Sequence, residues 1–175
     1  TLLTLDEIAQ PIEVEELHQC GAVEHYSNVV WAPDDLSVYF TDRINSSMPY
    51  QIYQLHLSTL KVDEITGRED NYYGDNELAL SPSGEQLLFF RNKYWGNNQV
   101  FVKNLITKEQ RKITELGFLS WTPSWTPDEK GILFSDNRSG GKLNLLDIET
   151  GDIQTLYHSS QSINSPQLSA SGKHI

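Results

Sequence analysis

An all-β fold built from four-stranded units is predicted by three observations. One stretch recurs: laid against Trp125-Thr126-Pro127-Asp128, the matches are Trp31-Ala32-Pro33-Asp34, Leu80-Ser81-Pro82-Ser83 and Leu168-Ser169-Ala170-Ser171, with first residues 49, 45 and 43 positions apart. Large apolar residues return at matched places, since Phe40, Phe89 and Phe134 each stand nine residues past Trp31, Leu80 and Trp125. Each period also holds four short strand-like runs parted by turn residues, and no helix-length segment. A repeat of about 40 to 50 residues with four strands is the pattern of a β-propeller blade, whose inner strands surround an axial channel.

The recurrent stretch reads as a strand end, a tight turn and a second strand. Proline presets φ for the turn, and Asp128 can bond the turn backbone. The second strands are then Val38-Tyr39-Phe40, Leu87-Leu88-Phe89-Phe90, Ile132-Leu133-Phe134 and a beginning at Ile175. Third strands follow at Ile52–Leu57, Val100–Leu105 and Leu143–Ile148, each trailed two residues later by a threonine that opens a turn: Thr59, Thr107 and Thr150. Fourth strands end at Ile65-Thr66, Ile113-Thr114 and Leu156-Tyr157. Leu2–Leu5 and Ile12–Leu17 read as a hairpin. Leu17 stands 14 residues before Trp31, as Thr66 stands 14 before Leu80, so this hairpin takes the outer half of a blade. Pro166-Gln167-Leu168 and Lys173-His174-Ile175 read as the inner half of another. The expected organisation is a single propeller region over residues 1–175, read as a portion of a longer chain. It comprises a half blade (1–17), three complete blades (near 26–66, 75–114 and 119–157) and a second half blade (166–175).

With the repeats laid out, the chain resembles the TolB-type β-propellers. The resemblance is carried by Trp31-Ala32-Pro33-Asp34-Asp35, Leu80-Ser81-Pro82-Ser83-Gly84, Trp125-Thr126-Pro127-Asp128-Glu129 and Asp147-Ile148-Glu149-Thr150-Gly151. The sequence departs from the pattern where Asp35 and Glu129 replace the turn glycine, where Leu80 and Leu168 replace tryptophan, and where Ser83 and Ser171 replace aspartate. The family's repeat serves translocation accessories, peptidase gating domains, lyases and sensor domains, so a shared fold does not carry a shared function. The resemblance implies a non-catalytic recognition or sensing module on the periplasmic or other extracytoplasmic side of a membrane, such as the sensor part of a ToxR/CadC-like transmembrane transcriptional regulator. The alternatives are the propeller gating domain of a larger prolyl-oligopeptidase-like peptidase, a propeller lyase using channel histidine and metal, and a cytoplasmic location.

Composition narrows the classes. A net charge of −11, with no basic run longer than Arg111-Lys112, excludes a nucleic-acid surface. No stretch of eighteen apolar residues is present for membrane insertion. Cys20 stands alone, so neither an intrachain disulfide nor a cysteine zinc site can form. There is no Gly-x-Ser-x-Gly elbow, no His-Glu-x-x-His and no phosphate-binding glycine loop, and the five histidines are scattered without metal-ligand spacing. No catalytic residue, metal or cofactor is assigned.

Antiparallel strands allow one inference about binding. The connections between second and third strands emerge on the same face as those that lead from one blade to the next. That face collects residues 43–50, 71–76, 93–98 and 119–121, rich in aromatics and amides. Aromatic contact loops on a rigid scaffold suit a protein or peptide partner. The candidate binding residues are Tyr72, Tyr73, Asp75, Asn76, Tyr94, Trp95 and Trp121, with His25 and Tyr26 at the start of the first inner strand. The opposing reading makes the aromatics caps on the edges between blades. Trp31 and Trp125, equivalent in the repeat, are both expected to be buried between blades. The complementary half blades leave three closures open: an open portion of a larger propeller, pairing of the two halves in one composite blade, or a homodimer formed by exchange of end strands.

Overall fold

The computed structural model describes residues 2–5, 11–15, 28–67, 73–93, 97–116, 123–169 and 171–175. Among them the regular elements are all strands. β1 (Leu2–Leu5) and β2 (Pro11–Glu15) form a separate antiparallel hairpin. The first four-stranded sheet contains β3 (Val29–Trp31), β4 (Ser37–Asp42), β5 (Gln51–His56) and β6 (Val62–Glu64). The second contains β7 (Gly74–Leu80), β8 (Gln86–Asn92), β9 (Asn98–Asn104) and β10 (Gln110–Glu115). The third contains β11 (Ser124–Trp125), β12 (Gly131–Asp136), β13 (Gly141–Asp147) and β14 (Ile153–Ser159). Each is an antiparallel meander, as the propeller reading requires.

The register reproduces the sequence repeat residue by residue, because Trp31 pairs with Val38, Leu80 with Leu87 and Trp125 with Ile132. The turn is also the same in each copy. Ala32, Ser81, Thr126 and Ser169 donate their N–H to the carbonyl five residues on, and accept from the N–H three residues on. That third donor needs a left-handed backbone. Gly84 (φ 78°) and Gly172 (φ 69°) adopt it freely, while Asp35 and Glu129 hold the same geometry at φ 58° each, so replacing glycine preserved the turn. The turn between third and fourth strands is likewise shared. Its threonine hydroxyls accept the N–H of Lys61, Glu109 and Asp152, and its left-handed position is filled by Leu60 (φ 55°), Lys108 (φ 66°) or Gly151 (φ 77°). Leu60 is half exposed and gains little from burial. Leu60→Gly is therefore expected to raise stability by about 0.5–1 kcal/mol, as relief of left-handed strain outweighs the added chain entropy. A thermal midpoint that falls would contradict it.

Packing between sheets follows from the period-two alternation of strands. Leu87 and Phe89 of β8 face the first sheet and meet Ala32, Tyr39 and Ile52, while Leu88 and Phe90 face the third and meet Trp125, Ile132, Phe134 and Leu146. All four are buried, which is why a strand between two blades reads as an unbroken apolar run. Each contributes roughly 1.5–3 kcal/mol of burial.

Two expectations are corrected. Trp125 is 6% exposed and its indole N–H donates to the Ala79 carbonyl of the preceding blade at 3.0 Å, but Trp31 is 47% exposed. The repeat position points each tryptophan at the blade before it, and among the described residues no sheet lies on that side of Trp31. Residues 166–175 form the repeat turn, with Ser169 N–H bonding the His174 carbonyl at 2.9 Å, yet the flanks carry no strand. A turn closes on local bonds, whereas a strand needs neighbours along its edge.

Candidate functional site

The ends of β4, β8 and β12 and the starts of β5, β7, β9 and β13 lie on one face, where the repeats diverge most in sequence. Between the first two blades this face is built around Tyr50. Tyr50 N–H donates to the Tyr73 carbonyl at 3.2 Å, and Asp75 N–H donates back to the Tyr50 carbonyl at 2.9 Å, so the connection after β4 is stitched to the start of β7. The approach is so close that a Cβ on Gly74 would overlap the Tyr50 backbone, and Gly74 adopts φ 125°, which only glycine takes readily.

An aromatic and cationic stack rests on this junction. Tyr73 is 38% exposed and lies 6.0 Å from the ring of buried Tyr50, and the Arg43 guanidinium stands 4.5 Å from the Tyr50 centroid. Arg43 also donates to the Ser46 carbonyl at 3.2 Å, which holds the 43–50 connection over the stack. Tyr73 therefore reaches solvent from a supported position.

Beneath it lies a buried ion pair. Arg91 donates through Nε and Nη2 to the two carboxylate oxygens of Asp75, at 2.6 and 2.8 Å, and both side chains are nearly inaccessible. The guanidinium stands 4.7 Å from the Phe101 centroid and 5.5 Å from that of Phe89. Such a planar, bidentate and stacked arrangement suits arginine and no other cation. Asn76 is also buried, on the opposite side of β7. Just past it the strand bulges, with Glu77 at φ 49°, and its backbone is clamped by both neighbouring blades. The Asn28 amide exchanges two hydrogen bonds with Leu78, and Trp125 bonds the Ala79 carbonyl.

At the outer rim, Asn97 donates to Glu115 at 2.9 Å, and this bond, followed by Lys112, holds the Glu115 carboxyl below its ordinary range. On the third blade Arg138 grips Asp136 in the same bidentate fashion and lowers its pKa. Of the candidate residues, Tyr73, Asp75 and Asn76 are thus placed on this face. Tyr73 is accessible, and Asp75 and Asn76 are interior. Tyr72, Tyr94, Trp95, Trp121, His25 and Tyr26 lie outside the described residues. Among the described residues no group of three His, Cys, Asp or Glu side chains is arranged to hold a metal, and no helix is long and apolar enough to cross a membrane.

No protein-family model matches the chain, and no curated protein sequence matches it significantly. Solved structures do match. TolB from Acinetobacter baumannii superposes with a TM-score of 0.68 at 24% identity, over 83% of this chain and 35% of that one. Its structural neighbours are TolB-like propellers. They include enzymes: an oligogalacturonate lyase from Vibrio parahaemolyticus (TM-score 0.66, 14% identity, 91% of this chain and 46% of that one) and a puromycin-hydrolyzing peptidase from Mycobacterium tuberculosis (0.64, 13%, 94% and 24%). The chain spans less than half the length of each of these three, and at such identities the likeness concerns the fold.

Against this TolB-like frame, sequence reasoning located the face but missed its framework. Arg43 and Tyr50 fall within the 43–50 connection yet are not among the candidates, and Arg91 follows directly on the Leu87–Phe90 strand without being one. The available signal was opposite charges at Asp75 and Arg91, five residues before Leu80 and four after Leu87. The bulge of β7 takes up the extra residue and brings the two opposite each other.

Proposed function

We propose that this chain is a non-catalytic recognition module that binds a protein or peptide partner through the loop face. The observation that supports it most is Tyr73, an accessible aromatic beside the ring of Tyr50, which the Arg43 guanidinium in turn contacts, both of these being buried at a stitched junction between blades. A rigid aromatic anchor loses little entropy on binding, and Tyr with Arg is the pairing enriched at the centre of interfaces. The connections that the sequence analysis assigns to this face also include Tyr72, Tyr94, Trp95 and Trp121, which lie outside the described residues.

Replacing Tyr72, Tyr73, Tyr94 and Trp95 together by Ser is the test. Peptides selected on the native chain from a displayed library should bind the variant at least tenfold more weakly, with an unchanged circular dichroism spectrum. Equal binding removes the loop face from the function, and loss of the fold supports the reading in which these rings cap blade edges.

The finer assignment is the extracytoplasmic sensor of a membrane-tethered transcriptional regulator, and it rests on sequence resemblance. A transmembrane helix and winged-helix segment encoded upstream would support it. A second reading is favoured by the peptidase and lyase neighbours, in which the chain belongs to a larger enzyme. A hydrolase domain encoded downstream would support the peptidase version, and turnover of uronate oligomers abolished by a single substitution would support the lyase.

A further inference from the structure

The seam between the second and third blades holds two buried amide oxygens without partners. Asn76 and Asn92 are 5% and 7% exposed, and among the described residues neither side-chain carbonyl meets a hydrogen-bond donor. Asn76 stands opposite Phe90 and Asn92 two residues beyond it, so strand alternation puts both on the side of the sheet where Phe90 meets Phe134 of the third blade. As diagonal neighbours on that side their Cα atoms are roughly 7–8 Å apart, within the span of one planar group held between them. Both blades of this seam have all four strands, so its contacts are independent of what lies beyond the chain's ends.

An unpaired buried carbonyl is costly, whereas an apolar side chain of similar size in its place is not, so the two amides keep a penalty that a donor removes. The other side of the same strands shows which donor fits. There the Arg91 guanidinium lies on Asp75, 4.7 Å from the Phe101 centroid, at the strand positions next to Asn92 and Asn76. Across the seam the cations Arg138 and Lys142 act on Asp136, and neither bonds the two amide oxygens. Buried Glu77 follows Asn76 in the bulge of β7, a feature that commonly re-aims side chains beside a site, and the chain as a whole carries −11. Two acceptors in an acidic chain select a cation with several N–H donors. Among the described residues no trio of His, Cys, Asp or Glu is arranged to hold a metal instead.

We propose that this seam seats an arginine guanidinium presented by the partner, with one N–H edge on the Asn76 oxygen and another on that of Asn92. The assignment rests on the recognition reading above for its partner and narrows that partner to a basic peptide. Both oxygens are shut from solvent in the unliganded chain, so the guest parts the loop-face end of the seam, and satisfying the two acceptors offsets that opening. Salt screens the negative chain and weakens the association.

NMR titration of the native chain with N-acetyl-L-argininamide tests this, with the neutral citrulline counterpart as control. The expected result is a saturable shift of the Asn76 and Asn92 side-chain amide signals that the citrulline compound does not produce, and an affinity at least tenfold lower once Asn76→Leu and Asn92→Leu are combined. Each leucine variant, freed of an unpaired acceptor, should melt no lower than the native chain. In peptides selected on the native chain, replacing arginine by citrulline should weaken binding at least tenfold. No saturable shift, an equal response to citrulline, or calcium taking the place of the arginine compound overturns the proposal, and these readings need only the native chain should a variant fail to fold. The serine variant of the loop face separates the two readings. Peptides that depend on the loop aromatics but not on arginine overturn the seam and leave recognition standing, whereas argininamide bound at the seam with peptides indifferent to the loop aromatics does the reverse.

Discussion

Trp125→Ala is expected to cost about 3–5 kcal/mol, whereas Trp31→Ala should cost under about 1 kcal/mol in the isolated chain. The two residues share a repeat position, so propensity and turn chemistry are matched and only their surroundings differ. Trp125 is buried against Leu88, Phe90 and Leu146, and its N–H is spent on the Ala79 carbonyl at the bulge of β7. Removing it opens a cavity between two blades and strips a hydrogen bond from an irregular strand. Trp31 is half exposed and gives up little on truncation. Urea denaturation of both variants reads the difference directly, and equal shifts in midpoint would mean that the interface between blades does not set the stability of the sheets.

Arg91→Met should be comparably severe, at about 3–5 kcal/mol, because it leaves the Asp75 carboxylate buried without its bidentate partner. The pair itself is not expected to be worth that much, since desolvating two charges consumes most of their attraction. Combining Arg91→Met with Asp75→Leu should therefore recover most of the loss, and a double-mutant cycle measures how much. If the single and double variants are equally unstable, the damage comes from stacking lost over Phe89 and Phe101, not from the stranded charge. Because this pair underlies the Tyr50–Gly74 junction, the single variant should also loosen the support of Tyr73.

The Asp147 turn shows how far local chemistry reaches. Its carboxylate accepts the N–H of Thr150 and Glu149, which lowers its pKa, and Asn104 plays the same part for Ile106 and Thr107. Asp128 is likewise held below its ordinary range by the Thr126 hydroxyl and the Lys130 N–H. These bonds span two or three residues, so they are legible in any stretch of sequence that contains them. The repeat period and the four-strand unit were legible for the same reason: turn residues and two-residue alternation act over short distances, and the recurrence multiplied a weak signal.

What the sequence by itself determined was therefore the blade: the four-strand unit, and the turn that sets Trp31, Leu80 and Trp125 at one repeat position. Only the tertiary structure decided what each blade meets. Equivalence in the repeat made Trp31 and Trp125 look alike, but burial is a property of the neighbour, and the described neighbour is present for one and absent for the other. It also decided that Asp75 is interior and Tyr73 accessible, though they stand two residues apart on the same face of the array. Asp75 lies within β7 and Tyr73 just ahead of it, and the Arg91 and Tyr50 that claim them come from elsewhere in the chain, 16 and 23 positions away. Contacts at that separation are set by how blades pack, which no local pattern encodes.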